Sequence, residues 1–92
     1  MNDVDNKVKM IIEGLLLAAG RPLPLESIAA VFNEEERPEN DELLVVLARI
    51  DEECGDRGFE LTKVASGYRF QVKQELAEWV GKLWEERPPR YT

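Results

Sequence analysis

Nineteen aspartates and glutamates are the groups in this sequence with most capacity for chemistry, and they gather in two runs, Glu34-Glu35-Glu36 and Asp51-Glu52-Glu53. Paired carboxylates can hold a divalent metal or divide the roles of general acid and base. Both uses need side chains that converge, whereas successive residues on a helix diverge by about 100°. On a chain with formal net charge −7 these runs read as solvated faces. There is no histidine, so the commonest general base and metal ligand is missing. The lone cysteine, Cys54, can build neither a zinc site nor an intramolecular disulfide. Glu52, Glu53 and Asp56 around it would raise a thiol pKa, which marks a small buried hydrophobe rather than a nucleophile. No Gly-x-x-x-x-Gly-Lys pattern offers a phosphate loop. The sequence predicts no catalytic residue, no metal and no cofactor.

The informative residues are apolar, and helices must position them. With Val8 at zero and 100° per residue, Ile11, Ile12, Leu15 and Ala19 share an arc of about 100°, which predicts a first helix over 5–19 with a core stripe. Asp5 or Asp3 is its expected N-cap. Gly20 can take positive φ and end it, and Pro22 and Pro24 forbid continuation. A second helix over 25–32 turns Ile28, Ala29 and Phe32 back toward the first. Met10, Gly14 and Leu17, spaced i, i+4, i+7, fall opposite the core stripe. Two large apolar side chains flanking a glycine on an outer face suggest that another chain approaches there, since mid-helix glycine costs about 1 kcal/mol relative to alanine.

Asn33–Asn40 (NEEERPEN) reads as a loop. A third helix over 40–54 follows Asn40 or Glu39, with Leu43, Val46, Leu47, Ile50 and Cys54 on one face. Phe59 and Leu61, then Tyr68, Phe70 and Val72, alternate with polar residues about a Ser-Gly turn, predicting a β-hairpin over 59–72 with a bulge or strand end near Lys63. A last helix over 74–86 centres its stripe, roughly 140° wide, on Leu76, Val80 and Leu83, with Trp79 and Trp84 flanking it. These three are expected in the core and at least one tryptophan only partly buried. Arg87-Pro-Pro-Arg90 stops the helix and opens a linker. The order α-α-α-β-β-α is that of an α+β winged helix-turn-helix domain over 1–86, with 87–92 beyond it.

That fold raises DNA binding, and a winged-helix transcription regulator is the alternative reading. A recognition helix presents Arg, Lys, Asn or Gln to bases and phosphates. Here the outward face of the third helix carries Asp41, Val45, Ala48, Arg49 and Glu52. Between Glu39 and Asp56 seven acids face one base, Arg49, and each acid near a phosphate is repulsive. The wing adds only Lys63, Arg69 and Lys73. No specific DNA binding is expected.

No secretory signal shows in MNDVDNKVK, and the longest apolar run, Gly14–Gly20, is too short to span a bilayer. A soluble, cytoplasmic domain without membrane contact is the expectation.

The stretches IIEGLLLAAGRPL (Ile11–Leu23), LESIA (Leu25–Ala29), GFELTKVASGYRF (Gly58–Phe70) and RPPR (Arg87–Arg90) together resemble the N-terminal domain of the ScpB family, segregation and condensation subunits of bacterial SMC complexes. The family's first helix typically has alanine and phenylalanine where this chain has Gly14 and Leu17. The resemblance implies a non-enzymatic scaffold in chromosome condensation and segregation. It implies a homodimer that binds the kleisin ScpA and through it SMC, with nucleoid association by way of the complex. It also implies a second winged-helix domain after the linker. Met10, Gly14, Leu17 and Val45 are the candidate interface residues, with one of the tryptophans beside them.

Overall fold

In the computed structural model, which describes residues 3–85, the chain forms α1 (Asp3–Ala19), α2 (Leu25–Ala30), α3 (Asn40–Glu52), β1 (Phe59–Val64), β2 (Gly67–Val72), a 3-10 turn (Gln74–Leu76) and α4 (Ala77–Glu85). This is the α+β winged-helix order. The expected linker at 87–90 and the end of the last helix at residue 86 lie outside the described residues.

Local chemistry sets each boundary. Gly20 sits at φ +68° and ends α1, a backbone state that costs glycine least. Because α1 begins at Asp3, Asp5 lies in its first turn and is not its cap. The Glu39 N–H donates to the Glu42 Oε1 at 2.8 Å, closing the first turn of α3 where Asp41 and Glu42 also suit the helix dipole. Arg37 donates from Nε to the Ala29 carbonyl and from Nη2 to that of Phe32, each at 3.0 Å, and so braces the end of α2, where the Ala29 carbonyl also accepts from the Phe32 N–H at 3.1 Å. That helix stops at Ala30, two residues short of the expectation, and α3 stops at Glu52 before a turn that carries Cys54.

The hairpin pairs antiparallel from Phe59 opposite Val72 to Val64 opposite Gly67, with no bulge near Lys63. The parity shift at Val64 reflects the end of the strand at the two-residue loop Ala65–Ser66, not an inserted residue. A third, one-residue strand is absent from the sequence expectation. Leu23 exchanges two 2.8 Å backbone hydrogen bonds with Tyr68, fastening the α1–α2 connection to the wing. At the other end of the hairpin Lys73 donates to the Cys54 and Gly55 carbonyls at 2.7 and 2.8 Å, tying β2 to the C-terminal turn of α3.

The core consists of Ile12 and Leu16 from α1, Leu23, Ile28 and Phe32 from the second segment, and Leu43, Val46, Leu47 and Ile50 from α3. All the expected α3 residues, Cys54 included, are buried. On α1 the centre of the stripe is displaced. Ile12 and Leu16 are the buried pair, while Ile11, Leu15 and Ala19 pack only partly. Leu16 lies about 80° from Val8, so α3 approaches from that side rather than along the centroid of the apolar arc.

The larger correction concerns α4. None of its residues is buried, Leu83 is 67% exposed, and both tryptophans are exposed. Leu76 and Val80 reach only half-burial. The stripe is present as expected, but the body of the domain does not cover it, so Leu76, Val80 and Leu83 are not core. The two kinds of position are separable by mutation. Under conditions where the chain is monomeric, Leu43→Ala should cost about 2–5 kcal/mol in urea unfolding, whereas Leu83→Ala should stay within about 0.5 kcal/mol of the parent. Equal losses would mean that α4 packs on the body.

Candidate interaction surface

Helix α1 reaches the surface along the line expected. Met10 is 63% and Leu17 71% exposed, with exposed Gly14 between them. A Cβ built on Gly14 would meet no atom within 4 Å. Nothing in the chain's own packing therefore requires glycine there, although it weakens the helix. The three residues form one continuous apolar strip with backbone accessible at its middle.

Leu17 also forms one wall of a groove of about 310 Å³ between α1 and the base of the hairpin. Ile50 and Cys54 lie at its floor, Phe59 and Phe70 form the opposite wall, and Glu13, Glu53 and Arg57 complete the lining. The two phenylalanines meet edge to face, with centroids 5.1 Å apart. Phe59 and its cross-strand partner Val72 are both exposed, extending the apolar surface along the hairpin toward α4. The Lys9 ammonium pairs with the Glu53 carboxylate beside it. Sequence reasoning missed Phe59 and Val72 as surface residues because they share the face of Leu61, Phe70 and Tyr68, which pack on the core, and are exposed only because they stand at the open end of the hairpin.

Val45 is exposed but stands elsewhere. It lines a separate hollow of about 470 Å³ with Val8, Pro38 and Val46, rimmed by Asp5, Glu36, Asp41 and Glu42 together with Arg37 and Arg49. The structure thus unites Met10, Gly14 and Leu17 and separates Val45 from them.

The expected outward face of α3, Asp41, Val45, Ala48 and Glu52, is exposed, with Arg49 half-buried. The basic residues of the wing have intramolecular roles. Lys73 holds the end of α3, Arg69 donates to Gln71 at 3.1 Å, and Lys63 lies 5.9 Å from the centroid of the Tyr68 ring. No group of three or more potential metal ligands converges among the described residues. Cys54 donates its S–H to the Ile50 carbonyl at 3.2 Å. Its pKa is raised above the ordinary value by burial first and by the Asp51 carboxylate second.

The winged-helix body thus carries apolar strips on its surface amid acids, while Arg37 and Lys73 are drawn onto helix ends. The chain belongs to the ScpB family: the family model for the segregation and condensation complex subunit ScpB matches residues 10–92. It is 36% identical to the segregation and condensation protein B homolog of Coxiella burnetii over 92 residues, covering 100% of this chain and 43% of that protein. It is 37% identical over 82 residues to segregation and condensation protein B of Symbiobacterium thermophilum, covering 89% of this chain and 36% of the relative. The chain thus spans less than half the length of these relatives. Among solved structures, a dimer of the ScpB N-terminal domain complexed with ScpA peptide superposes with TM-score 0.73 at 32% identity, over 85% of this chain and 95% of that one. ScpB from Mycobacterium tuberculosis superposes with TM-score 0.79 at 25% identity, over 99% of this chain and 56% of that one.

The state of Cys54 yields a check on this packing. Unfolding returns the thiol to its usual 9.0, so the unfolded chain gives up the proton first. The contribution of Cys54 to stability is therefore complete below about pH 9 and is lost as pH rises through the higher native value. Alkylation by iodoacetamide at pH 8 should be slow in the native protein and fast in denaturant, and Cys54→Ala should flatten the alkaline fall in stability.

Proposed function

We propose that this chain is a non-enzymatic scaffold domain of a chromosome condensation and segregation complex, which dimerises and binds the kleisin ScpA and through it SMC. It acts in the cytoplasm, associated with the nucleoid through the complex. The carrying observation is the 32% identical N-terminal domain, which this chain matches over 95% of that domain's length and which is a dimer with bound ScpA peptide. The surface chemistry supports the same reading: no helix among the described residues is long and apolar enough to cross a membrane, and the exposed features are apolar strips rather than a basic face.

The seam of the dimer includes Met10, Gly14 and Leu17. A two-fold contact buries the strip of both copies, so a small patch counts twice in the buried area. The glycine lets a partner backbone approach. Val45, across the molecule's other hollow, belongs to a distinct part of the interaction surface. Leu17→Glu places a carboxylate at a desolvated seam and should convert dimer to folded monomer in light scattering, with unchanged circular dichroism. A variant that stays dimeric places the seam elsewhere.

DNA is not the direct partner of α3. Its acids repel phosphate, and Lys73, Arg69 and Lys63 are engaged within the wing. Fluorescence anisotropy against random-sequence duplex at near-physiological salt should show binding no tighter than the weak non-specific limit, ~10⁻⁴ M. A salt-sensitive sub-micromolar affinity would restore the regulator reading.

A further inference from the structure

We propose that α4 is an exchanged arm: the Trp79–Leu83 face of one copy seats in the groove between α1 and the hairpin base of a second copy, and the second copy's arm returns the contact. The proposal rests on the dimer reading above and says how the dimer is built.

The first observation is the helix itself. Isolated helices shorter than about 12–15 residues are marginal in water, and helices in proteins owe most of their stability to packing of an apolar face. Helix α4 has nine described residues, buries none of them, and leaves Trp79 60% and Leu83 67% exposed. Leu83 lies on the centre line of the stripe, where a helix packed on its own domain would be most covered. An external surface must supply what the body does not.

The second observation is the groove. Its walls are Leu17, Phe59 and Phe70, its floor Ile50 and Cys54, and its volume about 310 Å³ suits large apolar side chains. Arm and groove adjoin in the chain without meeting. Leu76 Cδ1 lies 3.3 Å from the position of a Cβ on Gly58, immediately before Phe59, so the arm leaves from the rim of the groove and none of its residues lines it.

The occupant is a second copy for three reasons. Each chain carries one arm and one groove, so a two-fold axis satisfies both pairs and closes the assembly at two. The α1 strip alone cannot supply the ~1,200–2,000 Å² of a durable interface, whereas the exchange adds Trp79 and Leu83 from each copy, large apolar side chains now 60% and 67% exposed. The charges lean the same way, because Lys82 flanks the Trp79 edge of the stripe and the groove is lined by two acids, Glu13 and Glu53, against one base, Arg57.

The test is charge complementation in the chain, read by sedimentation equilibrium and native mass spectrometry. Leu83→Glu and Leu17→Arg should each weaken self-association at least ~100-fold, because an unpaired charge is buried in both contacts, while circular dichroism stays native. Mixing the two variants should restore a heterodimer within ~10-fold of the parent affinity, since one arm–groove contact is then unaltered and the other opposes a carboxylate to a guanidinium. Should Leu17→Arg lose its fold, Glu13→Arg takes its place, because Glu13 also lines the groove and is not part of the core. Two dimeric variants would overturn the exchanged arm and leave the dimer standing. A monomeric Leu17→Arg beside a dimeric Leu83→Glu would show a seam of α1 on α1 and likewise overturn it, and two monomeric variants that fail to complement would overturn the pairing of Leu83 with this groove. A Leu83→Glu chain that dimerises but no longer binds ScpA peptide would assign the arm to the kleisin instead. A monomeric parent would overturn the dimer reading itself.

Discussion

The pair of hydrogen bonds between Leu23 and Tyr68 is the constraint on which the rest of this domain depends. It converts a hairpin and a helical trio into one body, because it is where the wing joins the helix-turn-helix through backbone. Gly67 makes the approach possible. It takes φ +138°, and a Cβ there would lie 2.3–2.5 Å from the Leu23 and Pro24 backbone, a distance no side chain can occupy. Pro22 and Pro24 hold the facing segment extended, and Leu23 is buried between them. With the tip of the wing fixed there and its base fixed by Lys73 on the end of α3, the hairpin lies beside α1 and leaves the groove at its lower end.

The same economy explains the character of the surface. A domain this small has few long cationic side chains, and several close helix ends or brace the wing: Arg37 on α2, Lys73 on α3, Lys9 against Glu53. Each of these adds a charged donor to carbonyl or carboxylate groups gathered where a helix ends. The acids are left outward, with apolar strips between them. Such a surface keeps contiguous exposed apolar area of the kind that meets other proteins. On the reading proposed above, the winged-helix frame, elsewhere a reader of DNA, serves as a shape on which protein contacts are mounted.

Much of this was legible without coordinates because the determining effects are local. Helical periodicity located α1, α2 and α3, and the five residues assigned to the inner face of α3 are all buried. Gly20 and the two prolines marked the turn through their own backbone preferences, and the alternation of Phe59 to Val72 located the hairpin. The Met10–Gly14–Leu17 strip could be picked out because an apolar outer face is visible as a violation of the same periodicity that defines the inner one.

What tertiary structure decided is which apolar faces the chain covers for itself. A stripe about 140° wide on α4 and the broad apolar arc of α1 look alike as local patterns. Yet α3 lies against α1, choosing Ile12 and Leu16 from that arc, and nothing lies against Leu83. The reason is geometric. Burial depends on where another element arrives, and that is set by the Leu23–Tyr68 bridge and the Lys73 tether, contacts that join residues 45 and 18–19 positions apart. Amphipathicity is written residue by residue into the sequence, whereas the partner that answers it is a property of the folded whole.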